Sequence, residues 1–341
     1  MIREWLVPHH SRYTNSVILH MKRMKYILLI LLSSNIIWGQ VDPKESWNHH
    51  VHLFSPQLLK DLRSEKSGSE FLNGPDVLYS DIDTLMSKVK SDKIALISTG
   101  YGYRKENKTI KELEDLVRFE NDYLFKAHKK YEQRIFPFIG IDPTQLFALD
   151  EIKRCNIKFD YYGIKLHFHS SKVELLNIND INKIKPIFEY ARKLDIPLLI
   201  HFKNHKQEFG YEQIESFFVN FTQQNQPLTI IFAHSGGDGM INEKTKEIVK
   251  GILKQNVEFK QNIYFEISTA IWDKYIKQYE LTDSEKKQLL HEIGFDKLLY
   301  GTDYPARQFD TFPKRLKHRL KFTEEEFTEL KTNCPLEKYA R

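Results

Sequence analysis

Eight short apolar runs, separated by longer polar stretches of helical periodicity, leave this chain few architectures to choose from. The runs are Asn48–Phe54, Ile94–Ser98, Ile135–Ile141, Tyr162–Leu166, Pro197–His201, Thr229–Ala233, Ile263–Ile267 and Lys297–Tyr300. They are rich in Ile, Leu, Phe and Tyr and show little strict alternation, the pattern of strands buried on both faces. Between them, residues 110–131 place Leu113, Leu116, Val117, Tyr123 and Leu124 close to a 3.6-residue period, as an amphipathic helix requires. Residues 181–192, 211–220 and 243–254 behave alike. Strand and helix in alternation predict a parallel sheet with right-handed crossovers. Eight such units favour closure, so the expected fold is an α/β, (β/α)8 TIM-type barrel in one domain. Two connections, Ser55 to Lys93 and Ser268 to Asp296, are long, as loops that shape a pocket often are. The tail, residues 322–339, reads as a closing helix pair, with Thr323 and Glu326 spaced as a capping box.

The barrel is expected over residues 41–341, after a leader of residues 1–40. Lys22, Arg23 and Lys25 precede an apolar run, Tyr26 to Ile37, and then Trp38-Gly39-Gln40. A charged stretch, a short apolar stretch and a small residue make an export signal, cleaved after Gly39 or Gln40. The run falls short of the roughly 18 apolar residues that a membrane span needs. The expected location is therefore periplasmic or secreted, with no stable membrane span once the signal is removed. Five of the 51 basic and one of the 46 acidic residues lie in that leader, which leaves 46 basic against 45 acidic, or +1. A nucleic-acid partner would require a clustered basic face; here Lys is interleaved with Glu and Asp as on ordinary solvated helices. Cys155 and Cys334 are the only cysteines, too few for a disulfide framework, and read as free thiols.

Chemistry-bearing residues gather at the ends of the runs. His50 and His52 sit two apart on the first run, and residues i and i+2 of a strand face the same side. Both imidazoles then point into the barrel, with His49 pointing outward. His201 ends the fifth run, His234 follows the sixth, and Asp303 follows the eighth. In a parallel barrel all strand C-termini open onto one face, so these nitrogens and this carboxylate would meet there. Neutral imidazoles with a carboxylate are the donors that a catalytic divalent metal takes.

The segments HHVHLFSP, GIKLHF, IPLLIHF, AHSGG, YFEIS and YGTDYP, spread over residues 45 to 341, resemble the amidohydrolase superfamily. They are closest to its amidohydrolase-related branch of aminocarboxymuconate-semialdehyde decarboxylase-like enzymes. The resemblance implies a distorted (β/α)8 barrel with a divalent metal, most often one Zn2+. It makes His50, His52, His201 and Asp303 the metal ligands, and sets His234 beside the metal-bound water or the substrate. Asn48 departs from the pattern, which often has Asp at that position. Lys165 lies where other branches place a carboxylated lysine that bridges two metals; a single metal is favoured here. His167 and His169 read as polar strand-end residues.

Two activities fit this residue set. The first is hydrolysis of an ester, lactone or amide through a metal-activated water, with Asp303 as the proton-transfer residue and His234 assisting. The second is decarboxylation of an aromatic or unsaturated acid by the same groups. The partner expected is a small-molecule substrate, for which Arg104, Arg307 and Glu266 are candidate contacts and Tyr101 and Tyr103 candidate neighbours. Related barrels often pair, so a homodimer is an expectation of the resemblance and of no particular residue.

Overall fold

The computed structural model describes residues 44–64, 72, 74–103, 108–205, 208–223, 226–259, 262–271 and 281–339. The leader with its cleavage point, and Arg104, lie outside them. Eight strands form one sheet in chain order: β1 (Trp47–His52), β2 (Lys93–Ile97), β3 (Ile135–Ile141), β4 (Gly163–His167), β5 (Leu198–His201), β6 (Thr229–Phe232), β7 (Asn262–Glu266) and β8 (Leu298–Leu299). Each pairs in parallel with the next, and helices fill the connections. This is the expected (β/α)8 barrel.

Closure between β8 and β1 is irregular. His49 N donates to Tyr300 O at 2.8 Å and Asp303 N to His50 O at 2.8 Å, with a single parallel bridge, Val51 to Tyr304. β8 itself is only two residues long, so the backbone beyond it completes the ring. Asn48, where the family pattern often has Asp, clamps this edge: its Nδ2 donates to Thr302 Oγ1 at 2.9 Å and its Oδ1 accepts from Thr302 N at 3.1 Å.

Both faces of the strands are apolar, as the runs require. Ala95, Ile97, Phe136, Phe138, Leu199, Ile231 and Leu299 belong to one core inside the barrel. The alternate positions Ile94, Leu96, Ile139, Ile141, Ile164 and Leu166 pack outward in a second core that includes helix residues. One register shift breaks the alternation. Between Asn48 and Val51, β1 advances three residues while β2 advances two, from Ile94 to Leu96. This bulge falls at His49–His50. His49 therefore departs from the expected outward direction: it stacks at 5.6 Å on Trp47, which belongs to the core inside the barrel, with Nδ1 3.1 Å from Tyr300 O.

The helices at Ile110–Lys130, Asp283–Ile293 and Glu324–Thr332 start on capping boxes, Thr323 with Glu326 in the last case. The closing pair sits earlier than expected, at Phe312–Arg319 and Glu324–Thr332. Asn333, just past the second helix, ties its side-chain amide to Asp296 O at 2.8 Å and Leu298 O at 2.9 Å, and Pro335 cannot continue a helix. Both cysteines are free. Among the described residues no helix is long and apolar enough to cross a membrane.

Candidate metal centre

The end of β1 and the turn after β8 bring the first three donors together. His50 Nε2 lies 3.4 Å and His52 Nε2 3.2 Å from Asp303 Oδ1. Asp303 takes a left-handed backbone, φ 53°, and is held in it by its N–H on His50 O and by Ala306 N on its own carbonyl at 2.7 Å. Residues in that sparsely populated region cost energy and gather at functional sites. The turn after β6 does the same for His234, where φ is 53° at His234 and 55° at Ser235. It returns the imidazole to the barrel mouth, with its ring 4.9 Å from that of His50. His50, His234 and Asp303 each offer a donor atom within 4.8 Å of the other two.

The proton positions follow from the groups behind the histidines. Ser268 Oγ donates to Glu266 Oε2 at 2.9 Å, so at 2.9 Å from His234 Nδ1 it can only accept, and that nitrogen carries the proton. His50 Nδ1, 2.8 Å from Glu266 Oε2, donates likewise. Neutral imidazole with Nδ1 protonated has a bare lone pair at Nε2. Burial keeps these rings neutral, pushing His50 well below its ordinary value and His234 down to about 4. Burial alone acts to raise the Asp303 carboxyl, and the pull far below the usual carboxylate range comes from positive charge at His50, His234 and His52 and from a proton donated by His52, so with the rings neutral a cation must supply that charge. A bare nitrogen of His50 thus faces an ionised oxygen at 3.4 Å. Two lone pairs at that distance repel unless a cation lies between them, so this donor set fits a divalent metal. Thr99 Oγ1 lies 3.0 Å from His52 Nδ1 and fixes the plane of that ring.

His201 opens on the same mouth, its ring 5.2 Å from that of His234. Its donor atom, however, groups with His169 and Asp238. It stacks against His167 at 4.0 Å, with 9° between the ring planes. A cavity of about 300 Å3 is shared by His50, His52, Tyr101, Lys165, His167, His201, His234, Asp238 and Asp303. His167 is therefore a pocket residue and not merely a polar strand end, while His169 is half exposed. Lys165 is 1% exposed; burial lowers its ammonium to about 8, against the pull of Asp303 and Glu266. Glu266 does not line this cavity but stands behind His50 and His234. Arg307 donates to Ala306 O at 2.7 Å, beside the lining residues Pro305 and Ala306.

Asp238, Thr99 and Ser268 were not singled out from the sequence. Asp238 directly follows the AHSGG turn, and an acid after a glycine pair at a strand end is the signal that could have found it. Thr99 and Ser268 carry no such mark.

A family model described as amidohydrolase matches residues 105–331, a span that includes His201, His234 and Asp303 and begins beyond His50 and His52. No curated protein matches the sequence. Among solved structures, 5-carboxyvanillate decarboxylase from Novosphingobium aromaticivorans, which holds manganese, is similar at 17% identity, with 89% of this chain and 97% of that one covered and a TM-score of 0.58. A probable 2-pyrone-4,6-dicarboxylic acid hydrolase from Acinetobacter baumannii is 14% identical over 87% of this chain and 100% of that one, TM-score 0.57. The 2,6-dihydroxybenzoate decarboxylase from Rhizobium is 16% identical over 84% and 96%, TM-score 0.55. Identities this low speak to the shared barrel alone.

Proposed function

The chain belongs to the amidohydrolase family of metal-dependent enzymes, and from that premise we propose that it hydrolyses a small ester, lactone or amide. The observation that carries the reading is the convergence of His50, His234 and Asp303, whose donor atoms lie within 4.8 Å of one another at the barrel mouth. His50, His52 and Asp303 would hold the metal, with His234 beside it. Zinc is the ion these donors lead one to expect, and manganese suits nitrogen and carboxylate donors too. Bound there, the metal supplies Lewis acidity and lowers the pKa of a water.

The chain's own residues do the rest. Asp303 is ionised and so acts first as a base, taking a proton from the attacking water and returning it to the leaving group. His234 turns Nε2 to the cavity, and that nitrogen accepts a hydrogen bond or a proton from the reacting group. Glu266 keeps the proton of His50 on Nδ1 and so keeps Nε2 free. Tyr101 and His167, in ring contact at 4.9 Å, form one wall of the cavity.

Decarboxylation of a planar acid is the second reading, and the shape of the cavity favours it. His167 and His201 stack in parallel, Tyr101 lies 4.9 Å from His167, and Phe54 stacks on His52 at 5.9 Å. A cavity walled by flat rings, with the buried Lys165 in its lining, suits an aromatic carboxylate. Two of the similar barrels named above are decarboxylases of such acids.

One experiment decides. Metal-loaded enzyme is offered esters, lactones, amides and aromatic acids while acid release and CO2 are followed together. Acid without CO2 supports hydrolysis, and CO2 replaces that reading with the second. In either case Asp303→Asn is expected to keep the fold while turnover falls on the order of 100-fold or more; wild-type turnover in that variant removes Asp303 from proton transfer. The exported location also stands as a proposal, supported by the charged, apolar and small residues of the segment 22–40.

A further inference from the structure

We propose that His167 positions the substrate, its Nε2–H donating to an oxygen of a carboxylate that the substrate carries. The assignment rests on the mouth being the active site, as proposed above, and narrows the substrate to a small acid, whichever bond is cut.

The turn after β4 sets the proton of this ring. Ser170 N donates to His167 Nδ1 at 3.1 Å. An N–H can be given only to a bare ring nitrogen, so the single proton of the imidazole sits on Nε2. This reverses His50 and His234, whose Nδ1 atoms carry the proton. Those two rings turn lone pairs to the mouth, whereas His167 turns a donor to it. A nitrogen that keeps its proton is no metal ligand. The ring lies nearly parallel to His201 at 4.0 Å and meets Tyr101 at 4.9 Å, so its plane is fixed before any substrate arrives.

Among the described residues Nε2 of His167 makes no hydrogen bond, yet it is not sealed in the interior; the residue lines the cavity of about 300 Å3. Lys165 stands two residues earlier on β4 and so faces the same side. It is 1% exposed and lines the same cavity. Asp303 and Glu266 act on its ammonium through charge, without a hydrogen bond. A buried charge without such a bond is costly. An ammonium and an N–H on one wall, both short of an acceptor, call for an anion with two oxygens, which a carboxylate is. Asp238, a carboxylate in the same lining, is already tied to the Lys203 ammonium at 2.6 Å.

The test uses the Zn2+-loaded full chain, with benzoate as an unreactive acid and benzamide as its neutral counterpart. Long-range 1H–15N spectra of histidine-labelled enzyme, with His167 assigned by its loss in His167→Phe, are expected to show Nε2 protonated and Nδ1 bare. Calorimetry is expected to give benzoate at least about 10-fold tighter binding than benzamide. His167→Phe keeps a flat ring against His201 but has no N–H, and its benzoate affinity is expected to fall roughly 10- to 100-fold, the effect of losing a hydrogen bond to a charged group. His167→Gln restores an N–H donor and is expected to recover part of that loss, with metal content at the wild-type level in both variants. The proposal is overturned if the His167 proton is on Nδ1, if benzoate binds no more tightly than benzamide, or if His167→Phe binds benzoate as wild type does. Loss of metal from His167→Phe also overturns it, by making the ring a support for His201. Turnover is not read here, so failure of the hydrolytic reading in the substrate screen leaves these outcomes standing.

Discussion

Glu266 has no exposed surface, and its carboxylate faces several donors at once. His50 Nδ1 reaches Oε2 at 2.8 Å, Ser268 Oγ reaches it at 2.9 Å, and Ser268 N donates to Oε1. Burial pushes its carboxyl up, against the Ser268 hydrogen bonds and His234. Glu266→Gln puts an amide in place of an acceptor-only group, and the imidazole behind the metal loses its fixed tautomer. Metal affinity is expected to fall about 10- to 100-fold, the usual effect of removing such a partner, with circular dichroism unchanged. An unchanged affinity in a metal titration would mean that Glu266 is packing alone. The sequence marks Glu266 as a polar group ending a strand, and strand periodicity turns it inward. Whether it reaches the cavity or stops behind a histidine depends on side-chain length and the neighbouring strand, which no local pattern contains.

At the scale of elements, the weak edge is the one that carries the chemistry. β1 bears the bulge and β8 is reduced to Leu298–Leu299, so the ring closes on Tyr300, Asp303 and Tyr304 in irregular backbone. Gly301 sits in this seam. A Cβ there would lie 2.1 Å from Glu266 Oε1 and 3.0 Å from His50 Cβ. Gly301→Ala is expected to destabilise the fold by roughly 1–3 kcal/mol, as overpacking does, and to displace His50, so that urea unfolding and metal titration shift together. Loss of stability with metal affinity intact would separate the seam from the site. The eight runs were legible because burial on both faces leaves a dense apolar signature in a few residues. The bulge was not, since one extra residue in a strand changes no composition; it undid the outward reading of His49 while sparing His50 and His52.

For the molecule as a whole, one buried acid couples stability to pH away from the metal. Glu120, on the helix Ile110–Lys130, accepts from Ser55 N at 3.0 Å and so pins the chain where it leaves β1. Burial pushes its carboxyl up to about 7, against hydrogen bonds from Ser55 and Tyr103. The folded state then binds more protons than the unfolded one between the ordinary value of 4.5 and about 7, and stability falls as pH rises through that window. The loss is at most about 3 kcal/mol. Glu120→Gln, neutral at every pH, is expected to exceed wild type at pH 8 and to show a reduced advantage near pH 4.5, as read by urea midpoints; a constant difference across that range would remove Glu120 as the source.

Local pattern determined the barrel, its eight strands and the mouth where His50, His52, His201, His234 and Asp303 gather. Strand burial and helix periodicity are nearest-neighbour energetics and are written in short windows, and a parallel barrel sends every strand end to one face. Tertiary structure alone decided which donors face one another: His50 against Asp303, some 250 positions apart, and His201, its ring stacked on His167, against Asp238. The direction of an imidazole lone pair is set by the group behind the ring and by the strand beside it. Both come from distant parts of the chain and exist only once the ring has closed.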